Sequence, residues 1–360
     1  MERTSFETLL GARYPVIQGP FGGGLSTVAL AAAVADAGGL GSFGAHVLEP
    51  AQIEILVREL RSRTAGPFAI NLWVSDHDPA AAQFSHDDFE RTWQVFAPLY
   101  REYGLPEPEA PTLYHPRFDR QIEALLEAAP PAFSFVFGVP SAAILAECRR
   151  RGIVTLGTAT TLAEGHALEA AGVDLVVASG CEAGGHRPSF LERAEASLIG
   201  TLPLTRILAT HLRTPVIAAG GIVDGAGVRA ALALGATAAQ IGTAFLACRE
   251  SGTNDVHREV LFGARAQRTV LTRAYTGRLA RGVPNRLVEF MEAHADALPP
   301  FPVQAWFVAR LKTAAMAAGH EDFLALYASQ AAPLLRHRTA AELMNALVER
   351  TTSNHPQGEP

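Results

Sequence analysis

Asp174-Leu-Val-Val-Ala-Ser-Gly-Cys-Glu-Ala-Gly-Gly-His-Arg187 is the stretch that decides the fold. Its apolar start, 174–180, has the length and composition of a strand buried on both faces, the kind found where helices cover both sides of a parallel sheet. It ends in a loop whose glycines let the backbone approach a ligand closely. That loop carries His186, a group able to exchange a proton near neutral pH. Seven further apolar runs flank it, at 15–19, 39–45, 68–74, 133–138, 153–159, 215–221 and 238–245. Helical patterns separate most of them. Ser26 is the expected N-cap of an alanine-rich helix that ends at Gly38-Gly39. Pro50 opens a helix over 50–63 with Ile53, Leu56, Val57 and Leu60 on one face. Similar patterns occupy 141–152, 160–172, 197–212 and 225–235.

Alternating strands and helices imply an α/β protein with a parallel sheet and right-handed crossovers. Eight such units fit a closed (β/α)8 TIM barrel, with its ligand loops at the C-terminal ends of the strands. The rival is an open doubly wound sheet, and Gly39-Leu-Gly-Ser-Phe-Gly44 matches its G-x-G-x-x-G pattern. Those glycines fall inside a strand rather than between a strand and a helix, so the barrel is preferred. Residues 76–118, with His86-Asp-Asp-Phe-Glu-Arg-Thr-Trp93 and the proline-rich 106–116, form an expected inserted lid. Residues 251–350 read as a smaller, mostly helical domain over the barrel mouth, with apolar faces at Trp306, Phe307, Leu311, Phe323, Leu324 and Leu326. The barrel is then discontinuous, over 1–75 and 119–250. The polar 351–360 reads as a disordered tail.

The composition narrows the function. A formal charge of −6 and a pI near 6.1 lack the basic footprint of a nucleic-acid partner. No run of ~20 uncharged apolar residues is present to span a membrane, and the N-terminus has no signal-peptide pattern, so a soluble cytoplasmic protein is expected. The three cysteines lie far apart with no Cys-x-x-Cys, and the 12 histidines show no His-Glu-x-x-His. Neither a disulfide framework nor a metal site is expected. The single lysine, Lys312, lies far beyond the glycine loops, which argues against a strand-borne Schiff base.

The seventh and eighth strands end in Ala218-Ala-Gly-Gly-Ile-Val-Asp-Gly225 and Gln240-Ile-Gly-Thr-Ala-Phe245. Barrels bind phosphate with the loops after these two strands. Gly220 and Gly221 remove bulk there, while Gly242 and Thr243 offer an amide and a hydroxyl; tight turns and helix caps are the competing account. The first strand leads into Gln18-Gly-Pro-Phe-Gly-Gly-Gly24, a loop able to press its backbone against a flat ring. Asn71, buried at a strand end, is either a ligand contact or a structural bridge. His186 reads as a general base, or else as a capping histidine bonded to a loop carbonyl. His46 follows a strand without a comparable glycine loop and reads as a residue that supports the site from behind or as a structural one. Cys181 lacks electropositive neighbours and reads as inert, and Glu182 as a group that shapes the loop. Between 260 and 288 stand Arg265, Arg268, Arg273, Arg278, Arg281 and Arg286 with no acidic residue. They form either a solvated face paired with acids elsewhere or a reader of carboxylate, phosphate or an acidic partner. Thr272-Arg-Ala-Tyr-Thr-Gly-Arg278 is the part expected near the site.

Tyr14-Pro-Val-Ile-Gln-Gly-Pro20, Phe135-Val-Phe-Gly138, Glu182-Ala-Gly-Gly-His-Arg187 and 215–245 together resemble the four blocks of class I nitronate monooxygenases, formerly called 2-nitropropane dioxygenases. The resemblance implies an FMN-dependent TIM barrel with a smaller helical domain. It makes His186 the catalytic base or substrate-orienting group. Pro20 and Phe21 would flank the isoalloxazine, and Asn71 would contact the flavin. Gly184 and Gly185 would line the ribityl and phosphate path, and Gly220, Gly221, Gln240, Gly242 and Thr243 would hold the phosphate. Two residues depart from the family pattern: Ser179 stands where glutamine is usual and shortens a flavin contact, and Pro188 stands where glycine is usual and stiffens the loop that carries His186. The implied reaction is oxidation of a small alkyl nitronate by O2 to a carbonyl compound and nitrite, with His186 removing the α-proton where the substrate arrives as a nitroalkane. Flavin-dependent enoyl-acyl-carrier-protein reductases share the Glu-Ala-Gly-Gly-His run. That second reading brings in NAD(P)H and an acyl carrier protein met by the arginines, or another NAD(P)H acceptor. A third reading is a colourless, non-redox barrel that binds a phosphorylated metabolite. Apolar surface in 300–350 would serve either an oligomer contact or the lid.

Overall fold

The barrel strands are short and apolar on both faces, because one face packs inward and the other lies under helices. A computed structural model describes residues 5–352. Its strands are β1 (Val16–Gln18), β2 (Gly41–Gly44), β3 (Phe68–Trp73), β4 (Ala132–Val136), β5 (Val154–Ala159), β6 (Leu175–Ser179), β7 (Gly185–His186), β8 (Val216–Ala219), β9 (Ala238–Ile241), β10 (Val270–Thr272) and β11 (Ala280–Gly282). Eight of these run parallel in the order β1-β9-β8-β6-β5-β4-β3-β2. The two ends meet through a parallel bridge between Ile17 and Leu40. Gln18 fastens the seam: its Nε2 donates to the Ser42 carbonyl at 2.7 Å, and its Oε1 accepts from the Ser42 amide at 3.1 Å. The (β/α)8 barrel read from the sequence is the fold, with all eight expected strands in place.

Inside the barrel, Ile17, Leu40, Leu156, Leu175, Val177 and Ile217 pack together. Phe6 and Leu10 of the helix Ser5–Leu10 join that cluster. The Phe6 amide reaches Thr237 Oγ1, just before β9, so this helix lies at the N-terminal end of the barrel. Outside, Ile53, Leu56, Val57 and Leu60 of the helix Pro50–Arg63 are buried as their spacing requires.

Two helix starts differ from expectation. The alanine-rich helix runs Val28–Asp36 and is capped by Thr27, whose side chain accepts from the Leu30 amide, rather than by Ser26. Ser26 is spent elsewhere: its Oγ accepts from the Phe21 amide at 3.0 Å and the Gly44 amide at 3.2 Å, pinning the first glycine loop to β2. The helix expected from 197 begins later, as Thr201–His211, because Ser197 is buried and bonded to Arg187. The glycines of 39–44 serve packing. A Cβ on Gly41 would lie 2.1 Å from the Ala31 carbonyl oxygen, and one on Gly44 2.4 Å from that of Phe21.

Two further layers cover the mouth. The helix His86–Glu102 has a capping box from Ser85. It sets Phe89, Trp93, Phe96 and Tyr100 into one cluster with Phe307 and Leu311 of the helix Val303–Ala317, and the Tyr100 hydroxyl donates to the Phe307 carbonyl at 2.9 Å. The segment read as mostly helical also contributes β10 and β11, which form a three-stranded antiparallel sheet with β7. The last helix, Ala340–Thr352, turns back to the barrel and buries Leu343, Met344 and Leu347 against Leu30, Val34 and Val228. Thr351 and Thr352 close that helix; the rest of the tail expected over 351–360 lies outside the described residues. Among the described residues no helix is long and apolar enough to cross a membrane.

Candidate active site

A cavity of about 500 Å³ opens at the C-terminal ends of the barrel strands. Pro20, Phe21, Asn71, Ser179, Gly184, Gly185, His186, Gly220, Gly221, Gln240, Gly242 and Thr243 all line it. The twelve residues chosen from the sequence therefore share one wall system, although they come from five strand ends. Asn71 does both things left open for it: it faces the cavity and its Nδ2 donates to Ser134 Oγ at 3.0 Å, bridging β3 to β4.

The loop after β6 is less free than its glycines suggest. Gly185 and His186 form β7, antiparallel to β11, with His186 opposite Ala280 and Gly185 opposite Arg281. Gly184 is forced by proximity, since a Cβ there would meet the Ala328 carbonyl carbon at 2.6 Å. Glu182 shapes the loop as expected: its Oε2 accepts from the Thr201 amide and hydroxyl at 2.8 and 2.9 Å. Arg187 is 4% exposed and donates to the carbonyls of Ser179, Ser197 and Thr160. Beyond Pro188, the fully buried Glu164 accepts from the Thr160, Phe190 and Leu191 amides. Buried charges persist only when held by such hydrogen bonds, so this pair fixes both ends of the segment that carries His186. Burial raises the Cys181 thiol pKa, with Glu182 adding to it, which leaves it a poor nucleophile.

His186 is anchored by a 2.8 Å hydrogen bond between its Nε2 and Thr276 Oγ1. Its ring sits edge-on to Trp73 at 4.9 Å. Burial, and then the nearby charge of Arg278, push its pKa down to about 3, so the imidazole is uncharged at neutral pH. Arg278 is itself held by Asp78 at 2.8 Å and by the Ser75 carbonyl at 3.0 Å. Its guanidinium lies 4.1 Å from the Phe137 ring centre and 4.3 Å from that of Phe301. The segment 272–278 is thus at the site, as expected. Most of the arginine run is spent on this chain's own acids: Arg265 pairs with Glu321, Arg273 with Glu195, Arg278 with Asp78 and Arg286 with Glu102.

Several cavity residues were not chosen from the sequence. His46, read as a supporting or structural residue, lines the wall with Trp73, His115, Phe137 and Phe301. Its position at the end of β2, equivalent to that of other site residues, was the available signal. Ser329 lines the wall as well. Its amide donates to Thr243 Oγ1 at 2.9 Å, and its own hydroxyl is buried without a partner. Lys312, set aside for its distance in sequence, also reaches the cavity from the helix Val303–Ala317. It stands on a cover helix rather than a barrel strand, so the strand-borne arrangement is absent, but its sequence position did not remove it from the site.

A closed parallel barrel with a cavity at its strand ends, glycine loops after β8 and β9 and a partly buried, uncharged histidine defines an enzyme of the (β/α)8 class. The chain belongs to the nitronate monooxygenase family and is an oxidoreductase: the family model of that description matches residues 3–350. It is 45% identical over 359 residues to the nitronate monooxygenase of Pseudomonas aeruginosa, covering 96% of this chain and 98% of that one. Among solved structures, nitroalkane oxidase from Streptomyces ansochromogenes superposes with a TM-score of 0.87 at 36% identity, covering 97% of this chain and 99% of the other. FabK from Thermotoga maritima superposes with a TM-score of 0.75 at 26% identity, covering 97% and 96%.

Proposed function

We propose that this chain oxidises small alkyl nitronates with O2 to a carbonyl compound and nitrite, using FMN held in the cavity. The observation that carries the reading is His186: an uncharged imidazole, partly buried and anchored by Thr276, on the wall of a cavity whose other side is a glycine cradle. An imidazole with so low a pKa is a weak proton acceptor while it faces no anion. That favours a substrate already deprotonated, which a nitronate is, and its negative charge would strengthen any proton His186 carries. Thr276 fixes the ring so that one N–H is directed in either tautomer.

The residues fit FMN. Gly220 and Gly221 take φ of +114° and +66°, which L side chains rarely adopt. No side chain caps the helix Thr243–Leu246, and the partnerless Ser329 hydroxyl stands beside Thr243. Buried hydroxyls are normally bonded, so this one suits a phosphate oxygen. Gly220, Gly221, Gln240, Gly242 and Thr243 would hold the phosphate, with Gly184 and Gly185 along the ribityl chain. Pro20, Phe21, Asn71 and Ser179 would meet the ring system. When bound, the flavin supplies the electron acceptor and the reactivity toward O2. Residues 76–118 and the cover helices of 251–350 would keep bulk water from it.

The carrier-dependent reductase reading ranks second. The arginines it needs for an acidic partner already hold carboxylates of this chain. The cofactor assignment has a direct check. The purified protein is expected to show a flavin absorption spectrum, or to regain one when FMN is added, and a protein that stays colourless with FMN contradicts it.

A further inference from the structure

One cavity residue is built with more care than packing requires. The His46 ring lies flat on the Trp73 indole, with centroids 3.9 Å apart and planes 6° from parallel. At its edge, a Cβ on Gly22 would fall 1.9 Å from His46 Cε1, so the ring is seated beside a glycine. His46 is 7% exposed, and its Nδ1 is sealed without a hydrogen-bond partner. Nε2 is the ring nitrogen left to meet the cavity that His46 lines. A neutral imidazole carries one N–H and one lone pair. A buried N–H without a partner is the costlier orphan, so the proton belongs on Nε2, where it can donate into the cavity.

The surroundings keep His46 uncharged. Burial, then His115, His186 and Arg278, hold its pKa well below the ordinary histidine range. His115 is stacked beyond it at 5.7 Å. His115 Nδ1 bonds the Pro116 carbonyl at 2.8 Å, which leaves its Nε2 a lone pair rather than a second donor. Among the described residues no group of three His, Cys, Asp or Glu side chains is placed to hold a metal ion. His46 and His186 touch the same indole, one on its face and the other at its edge. Both therefore lie within the length of one small molecule.

We propose that His46 is a specificity-determining residue: its Nε2–H hydrogen-bonds a carbonyl-type oxygen carried by the substrate away from the reacting carbon. The proposal rests on the nitronate reading above. The donor is neutral, so it serves the carbonyl of a methyl ester as well as a carboxylate, the bond to the carboxylate being the stronger.

The test uses the flavin-loaded enzyme with propionate 3-nitronate, its methyl ester, and propyl nitronate, which lacks the second oxygen group. His46→Phe keeps a flat ring on Trp73 and removes the N–H. It is expected to lower kcat/KM for each oxygen-bearing substrate about tenfold relative to propyl nitronate, mainly through KM. His46→Gln, which restores a donor, is expected to recover much of that ratio. As a readout without turnover, calorimetric binding of succinate is expected to weaken about tenfold in the Phe variant and recover in the Gln variant. An unchanged ratio in the Phe variant, or an equal loss on all three substrates, overturns the proposal, the second outcome making His46 a packing residue for Trp73. Failure of the unaltered enzyme to turn over any nitronate would instead overturn the nitronate reading.

Discussion

Replacing His186 with asparagine is expected to lower turnover of neutral nitroalkanes at least a hundredfold while the protein keeps its flavin. General-base catalysis contributes about 10²- to 10⁴-fold, and asparagine has no nitrogen able to take a proton. The backbone at 186 stays paired with Ala280 whatever the side chain, so the loop and the cofactor cradle should persist. Burial and Arg278 hold the free imidazole near pKa 3. Proton transfer from a nitroalkane is feasible because it makes the imidazolium and the nitronate together, so each charge finds its counter-ion. A nitronate supplied ready-made needs no proton removed, and its kcat/KM should fall far less than that of the nitroalkane. Steady-state nitrite release from both forms of one substrate measures this. Nitroalkane turnover retained by the variant would reject the base role.

Acid is expected to destabilise this protein steeply as pH falls from about 6.5 toward 4. His46 is held well below the usual range, His115 is lowered, His257 is pushed to about 4 and His186 to about 3, each chiefly by burial. In the unfolded chain all four regain a pKa near 6.5. Between about pH 6.5 and pH 4 the unfolded state therefore binds protons that the folded state does not. Stability is fully present above pH 6.5 and is lost as pH falls through that window. Allowing for the partial exposure of His115 and His186, the slope near pH 5 should be on the order of 3 kcal/mol per pH unit. Glu147, depressed to about 2 by Arg150 and Arg151, acts only lower down. Urea midpoints taken from pH 7.5 to 4.5 would show the decline, and His186→Asn should remove about one proton's share. Midpoints flat to pH 5 would mean these imidazoles are not buried neutral.

The barrel and its cradle were legible because their signals are local. A short apolar run followed by glycines announces a strand end in a few residues, and eight repeats fix the closure. The twelve residues named from those loops and from the family resemblance line one cavity. What stayed hidden depends on contacts across the chain. β7 exists only because β11, nearly a hundred residues later, pairs with it, so Gly185–His186 looked like free loop. Ser26 and Thr27 are both able caps; the demand of the Phe21 and Gly44 amides for Ser26 leaves Thr27 to the helix. His46, Ser329 and Lys312 stand in unremarkable local sequence and acquire meaning from Trp73, Thr243 and the cover helix beside them. The arginine run was ambiguous because its carboxylate partners lie as far away as Asp78 and Glu102.

The central claim is that the cavity holds a flavin that a nitronate reduces. Anaerobic mixing of the flavin-loaded protein with propionate 3-nitronate, followed by absorbance, tests it most directly. Loss of the oxidised flavin bands with the nitronate, and none with NADH or NADPH alone, is the predicted result. Bands unchanged by the nitronate and bleached by NADH or NADPH would contradict it and put the reductase reading in its place.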